Sequence, residues 1–132
     1  MRSYDSVKTG KQNAKIVDVE VATDIRFGRY LADVYKPVYN VDGGTVKDNG
    51  VFRYKKADGF LYDPKKNWGY ARFLNVMGIK RDRSSDTPSF KPENIIGELV
   101  TIEVYEKVFT NAFSKVVKYP VARVISTLDI PF

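Results

Sequence analysis

Phe52, Arg53, Tyr54, Lys55 and Lys56 alternate flat rings with fixed positive charge, and Phe60, Tyr62 and Lys65 extend the series. Cations of this kind neutralise phosphates, while the faces of aromatic rings stack on unpaired bases. The same combination recurs at Arg29 and Tyr35 and again at Phe109, Phe113 and Lys115. The candidate stacking residues are therefore Tyr35, Phe52, Tyr54, Phe60, Tyr62, Phe109 and Phe113. The candidate phosphate contacts are Arg29, Arg53, Lys55, Lys56, Lys65 and Lys115, with Arg26 and Arg72 in reserve. For each ring taken alone, burial in a core explains it equally well. Trp68 and Phe73 are assigned to the core or to helix packing. Contacts to phosphate carry no base information, so binding of this type is indifferent to sequence.

The distribution of charge supports the same residues. The 132-residue chain carries 22 Lys and Arg against 16 Asp and Glu, a formal net charge of +6. Residues 47–91 hold eleven basic and five acidic side chains, so the whole excess lies in the middle third. Single lysine pairs there read as solvated loops. The interleaved rings weaken that reading for the segment as a whole.

Catalytic constellations are scarce. With no Cys and no His, thiol catalysis, Ser-His-Asp triads, Cys- or His-based zinc sites and disulfide scaffolds are excluded. Asp33 with Lys36, or Asp63 with Lys65, would suit a metal-dependent nuclease, but such spacings arise easily in a charged chain. No pair of carboxylates is spaced to argue a shared magnesium ion. Gly43-Gly44 reads as a turn and not as a phosphate cradle. The expectation is a binding protein without cofactor or metal and not an enzyme. The alternatives are a metal-dependent nuclease and an RNA-binding or adaptor protein.

The elements that must position these residues alternate with period two along most of the chain. Residues 1–13 read as a flexible arm and 14–126 as the folded domain. Ala14–Ala22 is a half-buried strand with Val17, Val19 and Val21 on one face, followed by a turn over Thr23–Gly28. A second strand, Arg29–Tyr39, contains Pro37, which cannot donate to a ladder and implies an edge or a break. Asn40–Asn49 carries turn chemistry in Asp42-Gly43-Gly44 and Asp48-Asn49-Gly50. Val51–Lys56 is a third strand. Tyr70, Phe73, Leu74 and Met77 then fall on one face of a short helix, opened at Asp63-Pro64 or Asn67 and closed by Gly78. A polar connection over residues 80–93 precedes two long strands, Leu99–Phe109 and Lys115–Ser126. Val100, Ile102 and Val104 share one face, and Val117, Tyr119, Val121 and Ile125 another. The fold expected is mainly β: a five-stranded OB-fold-like barrel with one short helix between strands 3 and 4, a class that commonly binds oligonucleotides. A split sheet with one packed helix is the alternative.

Apolar runs are four or five residues long, short of the roughly 20 needed to span a membrane, and Met1–Ser6 lacks the apolar stretch of a secretory signal. A cytoplasmic setting and no membrane partner are expected.

Two resemblances follow from short segments. Asp129-Ile130-Pro131-Phe132, within a tip spanning residues 127–132, resembles the C-terminal tip of bacterial single-stranded DNA-binding proteins. The resemblance implies recruitment of replication, recombination and repair proteins. It departs from that pattern in having one acidic residue and no long linker. The body, through Asp48–Tyr54, Phe73–Ile79 and Ile95–Val100, is similar to small phage-encoded single-stranded DNA-binding OB proteins. That likeness implies single-stranded DNA as partner, service in replication, recombination and repair in a phage-infected cell or bacterial cytoplasm, and pairing of two copies as a homodimer.

Overall fold

The computed structural model describes residues 7–28, 30–55, 67–79 and 91–127. It is mainly β, with strands β1 (Gly10–Phe27), β2 (Tyr30–Val41), β3 (Gly44–Lys47), β4 (Val51–Lys55), β5 (Leu99–Thr110) and β6 (Val116–Thr127), and one helix, α1 (Trp68–Val76). All strand pairs are antiparallel, in the order β3-β2-β1-β5-β6, with β4 also on β2. The far ends meet at one parallel bridge, Asp48 to Ala122, where Asn49 N–H donates to the Ala122 carbonyl at 3.0 Å. The result is a partly open barrel with α1 between β4 and β5. If β3 and β4 count as two halves of one strand, the helix lies between strands 3 and 4, as expected.

Alternation places Val100, Ile102 and Val104 inside, together with Ile16, Tyr39 and Val124. Tyr70, Phe73 and Leu74 of α1 complete this core. The helix ends in a Schellman motif: Gly78 N–H donates to the Asn75 carbonyl and Ile79 N–H to that of Leu74. Gly78 adopts φ +71°, which only glycine takes without strain. Asn67 opens the helix without capping it. Its amide instead pairs both ways with the backbone of Tyr54, accepting from the N–H at 2.7 Å and donating to the carbonyl at 3.2 Å. That clasp fixes α1 beside β4.

Several expected boundaries move. Residues 10–13 are not an arm; they pair with Thr101–Val104 of β5. Most of the expected turn at Thr23–Gly28 continues β1 through a bulge that places Thr23 and Asp24 opposite Asp33. A second bulge at Val17 breaks the expected Val17-Val19-Val21 face. Pro37 marks neither an edge nor an end. Strand β2 is central, and Pro37 lies where its partner changes from β4 to β3, so no ladder bond is lost. The Asn40–Asn49 turn contains a four-residue strand with Val46 buried, too short for alternation to reveal. In β6 a bulge at Ile125 turns Val124 inward in its place. Among the described residues no helix is long and apolar enough to cross a membrane.

Candidate functional site

Strand β4 decides how the candidate residues divide. Its side chains alternate, so Phe52 and Tyr54 lie on one face and Arg53 and Lys55 on the other. The rings form a run: Phe27 meets Phe52 edge-on at 5.5 Å, Phe52 stacks on Tyr54 at 6.1 Å, and Tyr54 meets Tyr30 edge-on at 6.2 Å. Phe52 is itself set by Gly50, where a Cβ would come within 3.2 Å of the ring.

Arg53 and Lys55 turn toward a buried carboxylate. Asp33 accepts from Arg53 at 3.2 Å and from Lys55 at 2.8 Å, and Lys55 also reaches Asp24. Arg53 further lies 6.0 Å from the centre of the Tyr70 ring. Burial pushes the Asp33 carboxyl up, but Lys55, the Asp24 N–H and Arg53 together hold it below its ordinary value. Its two bonds to Asp24 and Asp33 raise the Lys55 ammonium. Assignment of Arg53 and Lys55 to phosphate is therefore corrected: their charge is already neutralised within the fold. Tyr35 is also corrected. It is only 6 % exposed and stacks on Tyr70 at 6.2 Å.

On the ring-bearing side three hollows of about 400–440 Å³ adjoin one another. Asn49 lines all three, Asp48 lies between the first and second, and Phe52 between the second and third. The first hollow is cationic, with Lys36, Lys47 and Lys107 beside Tyr119. The second joins Phe52, Tyr54, Trp68 and Tyr105 to Arg72 and Arg123. The third runs along the β1–β2 arm past Phe27. At the junction Lys107 donates to the Asn49 side chain at 2.8 Å. Shared walls make this one cleft in which rings and cations alternate.

Asp48 forms part of its floor. Its carboxylate accepts from the Tyr39 hydroxyl at 2.6 Å and from the Gly50 N–H at 2.9 Å. Burial raises this carboxyl to about 6, against the opposing pull of those two bonds and of Arg72 and Lys36. Burial and Asp48 in turn lift the Tyr39 hydroxyl well above its usual value.

Of the sequence candidates, Phe52 and Tyr54 line the cleft, and Phe109 touches its edge through Tyr119 at 5.6 Å. Phe113 (83 % exposed) and Lys115 stand apart at the β5–β6 hairpin tip, in a loop whose Phe113 and Lys115 N–H groups both donate to Asn111. Arg29, Lys56, Phe60, Tyr62 and Lys65 lie outside the described residues, as do Asp63 and Asp129, Ile130, Pro131 and Phe132. Trp68 is the chief residue misassigned: at 68 % exposure it is a wall of the cleft and not core. Phe73 is buried as expected. Lys47, Lys107 and Arg123, which line the cleft, were not among the candidates, and Lys36 was named only beside Asp33. Alternation did hold a signal for Tyr105 and Lys107, since they fall opposite Val104 on β5. No protein-family model and no curated protein matches the chain.

Proposed function

We propose that the cleft binds single-stranded DNA without regard to sequence, and so protects exposed strands during replication, recombination or repair. One observation carries the reading: Phe27, Phe52, Tyr54, Trp68 and Tyr105 share continuous walls with Lys36, Lys107, Arg72 and Arg123. Rings held partly exposed beside cations suit bases that are free to unstack, and duplex bases are not. Each stacked base contributes roughly 1–3 kcal/mol, so two or three rings give useful affinity. The cations act on phosphate and leave base identity unread.

Titration of the chain with an oligo(dT), the matching duplex and an RNA of equal length, followed by Trp68 fluorescence, tests the reading. Quenching by the single strand at concentrations where duplex has no effect supports it. Equal affinity for single strand and duplex overturns it. A preference for RNA over DNA would keep the cleft and change its ligand.

A further inference from the structure

A buried carboxylate in the floor of a cleft meant for a polyanion is an anomaly. Asp48 lies between the cationic and the ring-lined hollows, and its backbone forms the bridge to Ala122 that joins the ends of the sheet. It is held in place by a hydroxyl and an amide and makes no ion pair among the described residues. We propose that single-stranded DNA binding at this cleft is linked to uptake of one proton by Asp48, so that affinity is highest when Asp48 is neutral.

The inference rests on the nucleic-acid reading and adds a regulation to it. Phosphates entering either hollow meet the Asp48 charge across a poorly solvated wall, where like charges repel far more strongly than in water. Binding therefore favours the protonated form, and by reciprocity protonation favours binding. The groups around Asp48 do not compensate for this. From β2 come Lys36 and Tyr39, from α1 Arg72, and from β5 Tyr105 and Lys107. From β3 comes Lys47, already paired with Glu20 of β1 at 2.7 Å, and from β6 Tyr119 and Arg123, the latter paired with Glu103. As residue types, lysine, arginine and tyrosine ordinarily titrate well above pH 7. Phosphodiesters do not titrate between pH 5 and 7, and the chain has no histidine. Burial has moved Asp48 itself into that interval. Among the described residues that line the cleft, Asp48 is the carboxylate that burial moves into this window.

The test is calorimetric titration of the intact chain with oligo(dT) at pH 6, in two buffers of different ionisation enthalpy, with affinities measured from pH 5 to 7. Net proton uptake, and an affinity that falls on the order of tenfold across the range for a one-unit rise in the Asp48 pKa on binding, support the proposal. Asp48→Asn should give a nearly flat profile. Tyr39→Phe removes a bond that favours the charged form, so it should move the fall to higher pH; this second variant keeps the test sharp if Asp48→Asn does not fold. Binding with no proton uptake, or the same profile in the wild type and both variants, overturns the proposal and leaves the cleft reading intact. No binding at any pH overturns the cleft reading itself.

Discussion

Asp33 and Asp48 are each 6 % exposed, yet their surroundings are opposite. Asp33 faces two cations, and its carboxyl is held below the ordinary value. Asp48 faces a hydroxyl and an amide, and its carboxyl rises to about 6. The first region turns charge inward: it engages Arg53 and Lys55 with carboxylates and uses them to tie β4 to β2. The second leaves Lys36, Lys107 and Arg72 to line an open cleft. A count of basic residues cannot separate these roles. Only the partner of each cation does.

The largest test of this contrast is removal of Asp33. Asp33→Ala strands the partly buried Arg53 and leaves Lys55 with Asp24 alone, and should cost about 3–5 kcal/mol, read from urea unfolding at pH 7. Replacing Asp33, Arg53 and Lys55 together by apolar residues of similar volume should recover most of that loss. If Asp33→Ala costs under about 1 kcal/mol, the cluster is solvated and the contrast fails.

Asp48 should give the next largest effect, with the opposite sign in pH. A folded-state pKa raised from 3.8 to about 6 means the native state binds the extra proton between those values. Stability from this group is therefore full below pH 3.8 and falls as pH rises to about 6. Compared with Asp48→Asn, the wild type should lose about 2 kcal/mol between pH 4 and 7. Asp33 behaves the other way: its contribution is complete above its unfolded pKa and disappears only as pH drops below it. Urea midpoints at four pH values separate the two.

The contrast was partly legible in the sequence. Period-two alternation along Val51–Lys55 already divides Phe52 and Tyr54 from Arg53 and Lys55, so both sets could not face one ligand. What alternation could not supply was which face meets solvent, because that depends on Asp33, twenty residues earlier and opposite Arg53 only through the β2–β4 register. Strand β5 and the helix face were readable because their buried positions keep a regular period. The bulges at Val17, Thr23–Asp24 and Ile125 were not, since one extra residue reverses every later side chain. Trp68 misled because large apolar rings are usually buried, whereas this one begins the helix on its outer side.

Trp68 and Tyr35 carry the comparison into binding. Trp68→Ala removes a cleft wall that packs little, so oligo(dT) affinity should drop about tenfold, while unfolding free energy stays within about 0.5 kcal/mol. Tyr35→Ala should do the reverse and destabilise by about 3 kcal/mol or more through the cavity left against Tyr70. A Trp68→Ala variant with unchanged affinity would show that the second hollow takes no base.

The smallest effect separates the cations most directly. Each phosphate neutralised on a single strand contributes about 0.7 to the log–log salt slope, through release of a condensed counterion. Lys36→Ala and Lys107→Ala should each flatten the slope by about that amount. Lys55→Met should leave it unchanged, because an ammonium shared between Asp24 and Asp33 is not offered to phosphate. Lys47 is the intermediate case. Its pair with Glu20 is exposed on both sides and weak, so a phosphate can displace it. The slope is the right readout because it counts phosphate contacts and is blind to changes in packing. Equal flattening by Lys55→Met and Lys107→Ala would mean that the inward cations open to the ligand, and that the division between the two carboxylates does not hold in the bound state.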